Sequence, residues 1–144
     1  MRTVRNTVLS ALTVALGVGA LAAPAAAQSA EATAGVSYIA TIRTGTPGSY
    51  ETFRVELADR DDIDAAFAVL RGESNQHPNG KIVRTASPVN RGYGWHLDPK
   101  DVSFVDMSME ICDGKPSYVA ENWWTVDRFC PWDGTVVRMQ RAPR

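Results

Sequence analysis

By residue type, His96, Asp98 and Glu110 are the side chains best suited to moving a proton or gripping a cation. A histidine titrates near neutral pH, and a carboxylate beside it tunes and orients the ring. On an extended strand His96 and Asp98 share a face, and Asp101 and Glu110 follow shortly after. Asp98 also precedes Pro99, so it serves equally well as the first residue of a turn that continues through Lys100 and Asp101. A nucleophilic serine is not announced. Gly-x-Ser-x-Gly is absent, and Ser103, Ser108 and Ser117 read as ordinary strand and turn residues. The glycines are scattered through turns and build no phosphate loop. Asp59, Asp61 and Asp62 lack the spacing of a calcium loop and fit the start of a helix better. Two histidines and two cysteines form no zinc pattern, so neither a metal nor another cofactor is expected.

The second unusual chemistry is aromatic. Trp95, Trp123, Trp124 and Trp132 are all the tryptophans of the chain, and residues 95–132 also hold both cysteines. Flat rings that keep a polar edge line carbohydrate and peptide surfaces, although they also fill small cores. Trp95, His96, Trp123, Trp124 and Trp132 are therefore the candidate binding residues. Trp123 and Trp124 are adjacent and cannot both face inward on a helix. Cys112 and Cys130 are expected to form one disulfide, closing a loop worth about 3 kcal/mol in the chain-entropy picture. Neither would then be free to act as a nucleophile.

The start of the chain says where such a bond could persist. Arg2 and Arg5 precede an apolar run from Val8 to Leu21, and Ala25, Ala26 and Ala27 offer small residues to a signal peptidase. Residues 1–27 read as a cleaved signal peptide, with Ala30 as the alternative cleavage point. The run is short for a bilayer span and is broken by Gly17, Gly19 and Pro24, so no membrane association is expected after cleavage. The protein is expected to be secreted. Residues 28–35 are a disordered lead-in, residues 36–140 one domain, and residues 141–144 a tail. Losing Arg2 and Arg5 leaves the mature chain mildly acidic, which argues against nucleic acid and anionic membranes as partners.

The elements that must position these residues follow from periodicity. Residues 36–42 and 53–57 alternate in hydrophobicity on either side of a Gly- and Pro-rich turn, predicting a hairpin. Ile63, Ala66, Phe67 and Leu70 repeat with helical spacing between Asp59, at the N-terminus, and Gly72, at the stop. Residues 73–80 read as an exposed polar loop, residues 81–85 as a short strand around Ile82 and Val83, and Tyr93, Trp95 and Leu97 as one face of another strand. Val105, Met107, Met109 and Ile111 alternate with Asp106, Ser108 and Glu110, predicting a central strand with its apolar side buried. Cys112 then falls on the side of Asp106, Ser108 and Glu110. A second helix begins near Pro116, with Tyr118, Val119 and Trp123 inward, and residues 135–139 form the last strand. The expected class is α+β: a mainly antiparallel sheet of about five or six strands, two helices on one face and one disulfide.

Gly80-Lys81-Ile82-Val83, Trp95-His96-Leu97-Asp98-Pro99, the run from Glu110 to Val119 that contains Cys112-Asp113-Gly114, and Phe129-Cys130-Pro131-Trp132 together carry a resemblance. In these motifs, over residues 38–137, the chain resembles the secreted or modular domain named after the N-terminal domain of a calmodulin-binding protein. The resemblance implies no particular reaction and no catalytic residue set. Its name implies calmodulin as a partner, whereas the residues lack the basic amphipathic helix that a calmodulin target requires.

Three functions follow as expectations. The first is a secreted, non-catalytic binding domain that meets an extracellular protein or glycan through its Trp-rich, disulfide-stapled surface. The second is a small secreted hydrolase or metal-dependent enzyme centred on His96, Asp98 and Glu110. The third is a protease inhibitor presenting residues 74–80 as a rigid loop.

Overall fold

The computed structural model describes residues 35–121 and 125–143, which fall within one compact unit. The expected hairpin forms from β1 (Tyr38–Thr44) and β2 (Glu51–Leu57), paired antiparallel from Tyr38 opposite Leu57 to Thr44 opposite Glu51. Its turn needs glycine: Gly45 has φ of 91°, and a Cβ there would run into the Ser49 carbonyl. β1 buries Ala40, Ile42 and Thr44 on one face, as its alternation requires, and Ile39 as well.

The helix α1 (Arg60–Leu70) begins where the aspartates favour it, with the Asp59 side chain accepting the Asp61 N–H at 2.8 Å. Gly72, at φ 74°, ends it and allows Gly72 and Glu73 to donate to the carbonyls of Val69 and Ala68. Ile63, Ala66 and Val69 are the buried residues, while Leu70, expected on the apolar stripe, is exposed. The inward face is thus turned by one position at its C-terminal end. Phe67 meets Tyr38 edge-on, with ring centroids 5.4 Å apart.

β3 (His77–Val83) starts four residues before the expected strand. It is the common partner of β4 (His96–Leu97), β5 (Ser103–Val105) and β6 (Arg128–Phe129), all antiparallel. The Lys81 main chain shows how its neighbour is pinned: its carbonyl accepts the Asp98 N–H at 2.9 Å and its N–H donates to the Asp101 carboxylate at 2.8 Å. β7 (Thr135–Arg141) joins the hairpin on the other edge of β1, with a register shift between Thr41 and Ile42. The α+β class with antiparallel strands, two helices and one disulfide is the observed one, and the strands divide between a three-stranded sheet ordered β2-β1-β7 and a four-stranded sheet built on β3.

The expected central strand is not there. β5 ends at Val105, Met107 and Met109 follow outside regular structure, and residues 110–112 make a single 3-10 turn. Met107, Met109 and Ile111 are 86%, 64% and 65% exposed, not buried. The centre falls instead to β1 and β3, each with partners on more than one strand. Between the sheets and α1 lies one core in which Phe53, Trp95, Phe129, Leu57, Leu97 and Val119 are almost fully enclosed. α2 (Pro116–Ala120) has Pro116 in its first turn and buries Val119, with Tyr118 exposed. It is tied to β2 by Glu51, whose carboxylate accepts the Ser117 N–H and hydroxyl, each at 2.8 Å. Among the described residues no helix is long and apolar enough to cross a membrane.

Candidate functional site

Cys112 and Cys130 are joined, with their Cα atoms 5.2 Å apart, and both are buried. The Cys130 N–H also donates to the Cys112 carbonyl at 2.8 Å, so the two segments run together for a short distance. Two residues further on, the Trp132 N–H donates to Asp113 Oδ1 at 2.8 Å, and Gly134 closes the turn onto the Pro131 carbonyl at 2.9 Å. This fixes the Trp132 backbone beside the loop that follows β5.

The indole is then held by its edge. Trp132 Nε1 donates to Ser108 Oγ at 2.8 Å, and His77 Nε2 lies 2.7 Å from the same oxygen. An indole N–H can only donate, whereas a hydroxyl both accepts and donates. With the imidazole neutral and Nε2 unprotonated, the Ser108 hydroxyl passes its hydrogen on to His77. Burial pushes the His77 ring below the usual histidine range, against the pull of the Asp113 and Asp106 charges, so the neutral ring is the one present at pH 7. β3 supplies His77 from its first position, where the ring is 5% exposed.

A hydroxyl 2.7 Å from a neutral imidazole also meets the first requirement of a nucleophile and base. The second, a group that orients the base by hydrogen bonding, is missing among the described residues: Asp106 and Asp113 act on His77 through charge alone. Ser108 Oγ is moreover already engaged by the indole. The arrangement locks a ring in place.

Around Trp132 the surface is hollow. A cleft of about 450 Å³ is lined by Asn75, His77, Asp106, Met107, Ser108 and Trp132. A second, of about 270 Å³, has Ser74, Gln76, Asp133 and Thr135 among its walls and shares Asn75 and Trp132 with the first. Gln76 braces the junction, its side-chain amide donating to Asp106 Oδ2 at 3.3 Å and its N–H to Ser74 Oγ at 3.1 Å. Trp132 is 48% exposed.

The other sequence candidates are dispersed. Trp95 is 2% exposed and packs in the core against Phe53, Tyr93 and Phe129, at centroid distances of 5.8, 5.4 and 5.4 Å, so it offers nothing to a ligand. His96 sits half-buried with Nδ1 2.8 Å from the Thr85 carbonyl, in a crevice beside Arg54 and Glu56. Asp98 Oδ1 accepts the Lys100 N–H at 3.0 Å and so takes up its turn role. Glu110 opens the 3-10 turn on the exposed side. No three His, Cys, Asp or Glu side chains among the described residues are grouped as a metal ion would require. Trp123 and Trp124 lie outside the described residues. The loop expected at residues 74–80 is half taken up by β3, in which His77, Pro78 and Gly80 are buried, leaving little for an inhibitor to present.

Sequence reasoning missed His77, Ser108 and Asn75. The signal for Ser108 was in the parity of residues 105–112, which puts it on the side of Cys112, and thus of whatever Cys130 and Trp132 bring with them. His77 and Asn75 carried no signal of their own. A family model for the N-terminal domain of a calmodulin-binding protein matches residues 37–143. Comparison with curated proteins and with solved structures gave no match.

Proposed function

The chain belongs to the family of that calmodulin-binding protein's N-terminal domain, and we propose that it is a secreted, non-catalytic binding domain whose contact surface is centred on Trp132. One observation carries this reading. Met107, Met109, Ile111 and Trp132 are large apolar side chains left 86%, 64%, 65% and 48% exposed, on two segments that a buried disulfide joins. A fold that fully encloses Trp95 and Phe129 had apolar volume to spare, and apolar groups kept at the surface beside a cleft mark a place where a partner covers them. Rigid aromatic anchors hold most of the energy in such contacts. Trp132 has the necessary fixation through Ser108 and Asp113.

Export is supported by the basic and apolar leader of residues 1–27 and by a disulfide of the kind that persists in oxidising compartments. Calmodulin forms no part of the proposal. α1 carries Asp61 and Asp62 in its first turn and no basic residue in its last, and α2 has only 5 residues.

The test immobilises the disulfide-intact mature protein and its Trp132→Ala variant, and exposes both to the medium in which the source cells grow and to extracellular polysaccharides. A component retained by the wild type and lost by the variant is the expected result. Equal retention by both, or retention by neither, overturns the proposal.

A further inference from the structure

The two clefts that meet at Trp132 define what kind of molecule could fill them. Their charge excludes one broad class. Among the described residues neither cleft is lined by a lysine or arginine, each contains one aspartate, and His77 is neutral. Phosphates, nucleic acids and acidic sugars would meet only negative charge there. The polar groups point to hydrogen-bond donors in the ligand. Asp106 Oδ2 takes the Gln76 amide and Asp133 Oδ2 takes the Gly45 N–H at 2.6 Å, while the Oδ1 atom of each has no protein partner among the described residues. The Asn75 side chain lines both clefts and can serve a ligand on either side.

The apolar part is equally selective. Among the described residues Met107 and Trp132 are the only apolar walls of the first cleft, and Val69 joins Trp132 in the second. A peptide anchored by apolar side chains would need pockets apolar throughout. The combination present, a fixed flat ring between two troughs of amide, carboxylate and hydroxyl groups, matches a molecule with a flat C–H face and a rim of hydroxyls, repeated along a chain. Resting on the reading of Trp132 as a binding residue, we infer that this surface is a site for a neutral oligosaccharide that crosses the indole. One sugar ring stacks on Trp132, and its neighbours on either side hydrogen-bond to Asp106 and Asn75 in one cleft and to Asp133 and Asn75 in the other.

Native electrophoresis through gels containing soluble β-glucan, xylan, galactomannan or, as an anionic control, a polyuronate tests this directly. Retardation is expected in at least one neutral gel and not in the polyuronate. The hexasaccharide of the same linkage should bind more than about tenfold tighter than its monosaccharide, because both clefts contribute, an effect of about 1.4 kcal/mol or more. Trp132→Ala should weaken binding by about tenfold or more, and Trp132→Phe, which keeps a flat ring, by less. Asn75 is exposed, so Asn75→Ala leaves the fold intact and should also weaken binding. No retardation in any neutral gel, or retardation indifferent to both Trp132→Ala and Asn75→Ala, overturns the inference. If the immobilised protein still captures a polypeptide in a Trp132-dependent way, the oligosaccharide falls and the binding-domain reading stands.

Discussion

Replacing both cysteines by alanine, Cys112→Ala with Cys130→Ala, removes the bond that sets the Trp132 surface, and its cost can be worked from the loop it closes. The two residues are 18 apart in sequence. In the chain-entropy model a loop of that length restrains the unfolded chain by about 3 kcal/mol. Both sulfurs are buried, so their loss also leaves unfilled space, adding roughly 1 kcal/mol. The sum of about 4 kcal/mol is a large part of the 5–15 kcal/mol typical of a domain, yet leaves room for a folded variant. Within the loop, the paired Glu51 contacts to Ser117 and the buried Val119 still hold α2 against β2. Urea titration followed by circular dichroism is the assay. With a urea dependence of about 2 kcal/mol per molar, the midpoint should fall by about 2 M. The wild type under reducing conditions should fall by slightly less, since its sulfur atoms still fill their space. A fall of less than about 0.5 M in the double variant, or about 1 kcal/mol, would refute the reasoning, because the segment would then be held by its packing and not by the crosslink.

His77 carries a pH signature. Its ring binds a proton less readily folded than unfolded, so its contribution is complete above the unfolded value near 6.5 and is lost as the pH falls below it toward the depressed folded value. Wild type should therefore lose stability from pH 7 to pH 5 relative to His77→Gln in parallel urea titrations, and superimposable profiles would count against the buried neutral ring. Asp62, raised by burial and by the charges of Asp59 and Asp61, has the opposite slope above its ordinary value, but it is common to both proteins and cancels in the comparison. Gly80→Ala places a Cβ 2.9 Å from Val102 Cγ2 and 3.1 Å from Leu97 Cδ1 in the middle of β3, which should cost about 1–3 kcal/mol. Differential scanning calorimetry should show a melting point lower by several degrees, and an unchanged one would mean that the contact with β4 is loose.

The hairpin and α1 were legible because each satisfies a local rule over its whole length: alternation in Ile42, Phe53, Val55 and Leu57, and helical spacing with an aspartate cap in α1. β3 was legible only from Lys81 onward. Its first half is His77-Pro78-Asn79-Gly80, a composition that reads as a turn, and it is extended because three other strands pair with it. The segment after Val105 failed for the converse reason. Its alternation is real, but burying one side of a strand requires a neighbour to cover it, and none of the pairings of β5 extends past Val105. Trp132 could be picked out by type and by its place after Cys130. The residues that hold it could not, since His77 and Ser108 are 31 positions apart and neither is unusual locally.

The same parity that misled about burial explains how the surface is built. Along residues 107–112 the chain must deliver Cys112 inward to Cys130 and Ser108 inward to His77 and Trp132. Neighbouring side chains of extended backbone point to opposite sides, so Met107 and Met109, which flank Ser108, are turned outward, and Ile111 is turned outward by the turn that buries Cys112. Covering a Met or Ile side chain would contribute roughly 1.5–3 kcal/mol each, and the fold forgoes that at three positions. What it obtains is a hydrogen-bonded column of His77, Ser108 and the Trp132 indole, fixed at its foot by the β3 strand and at its head by the disulfide-linked turn. A ring held in that way loses little freedom when a ligand settles on it, and less ordering cost leaves more of the contact energy as affinity. The exposed methionines and the immobilised indole are thus two results of one constraint on the direction of alternate side chains.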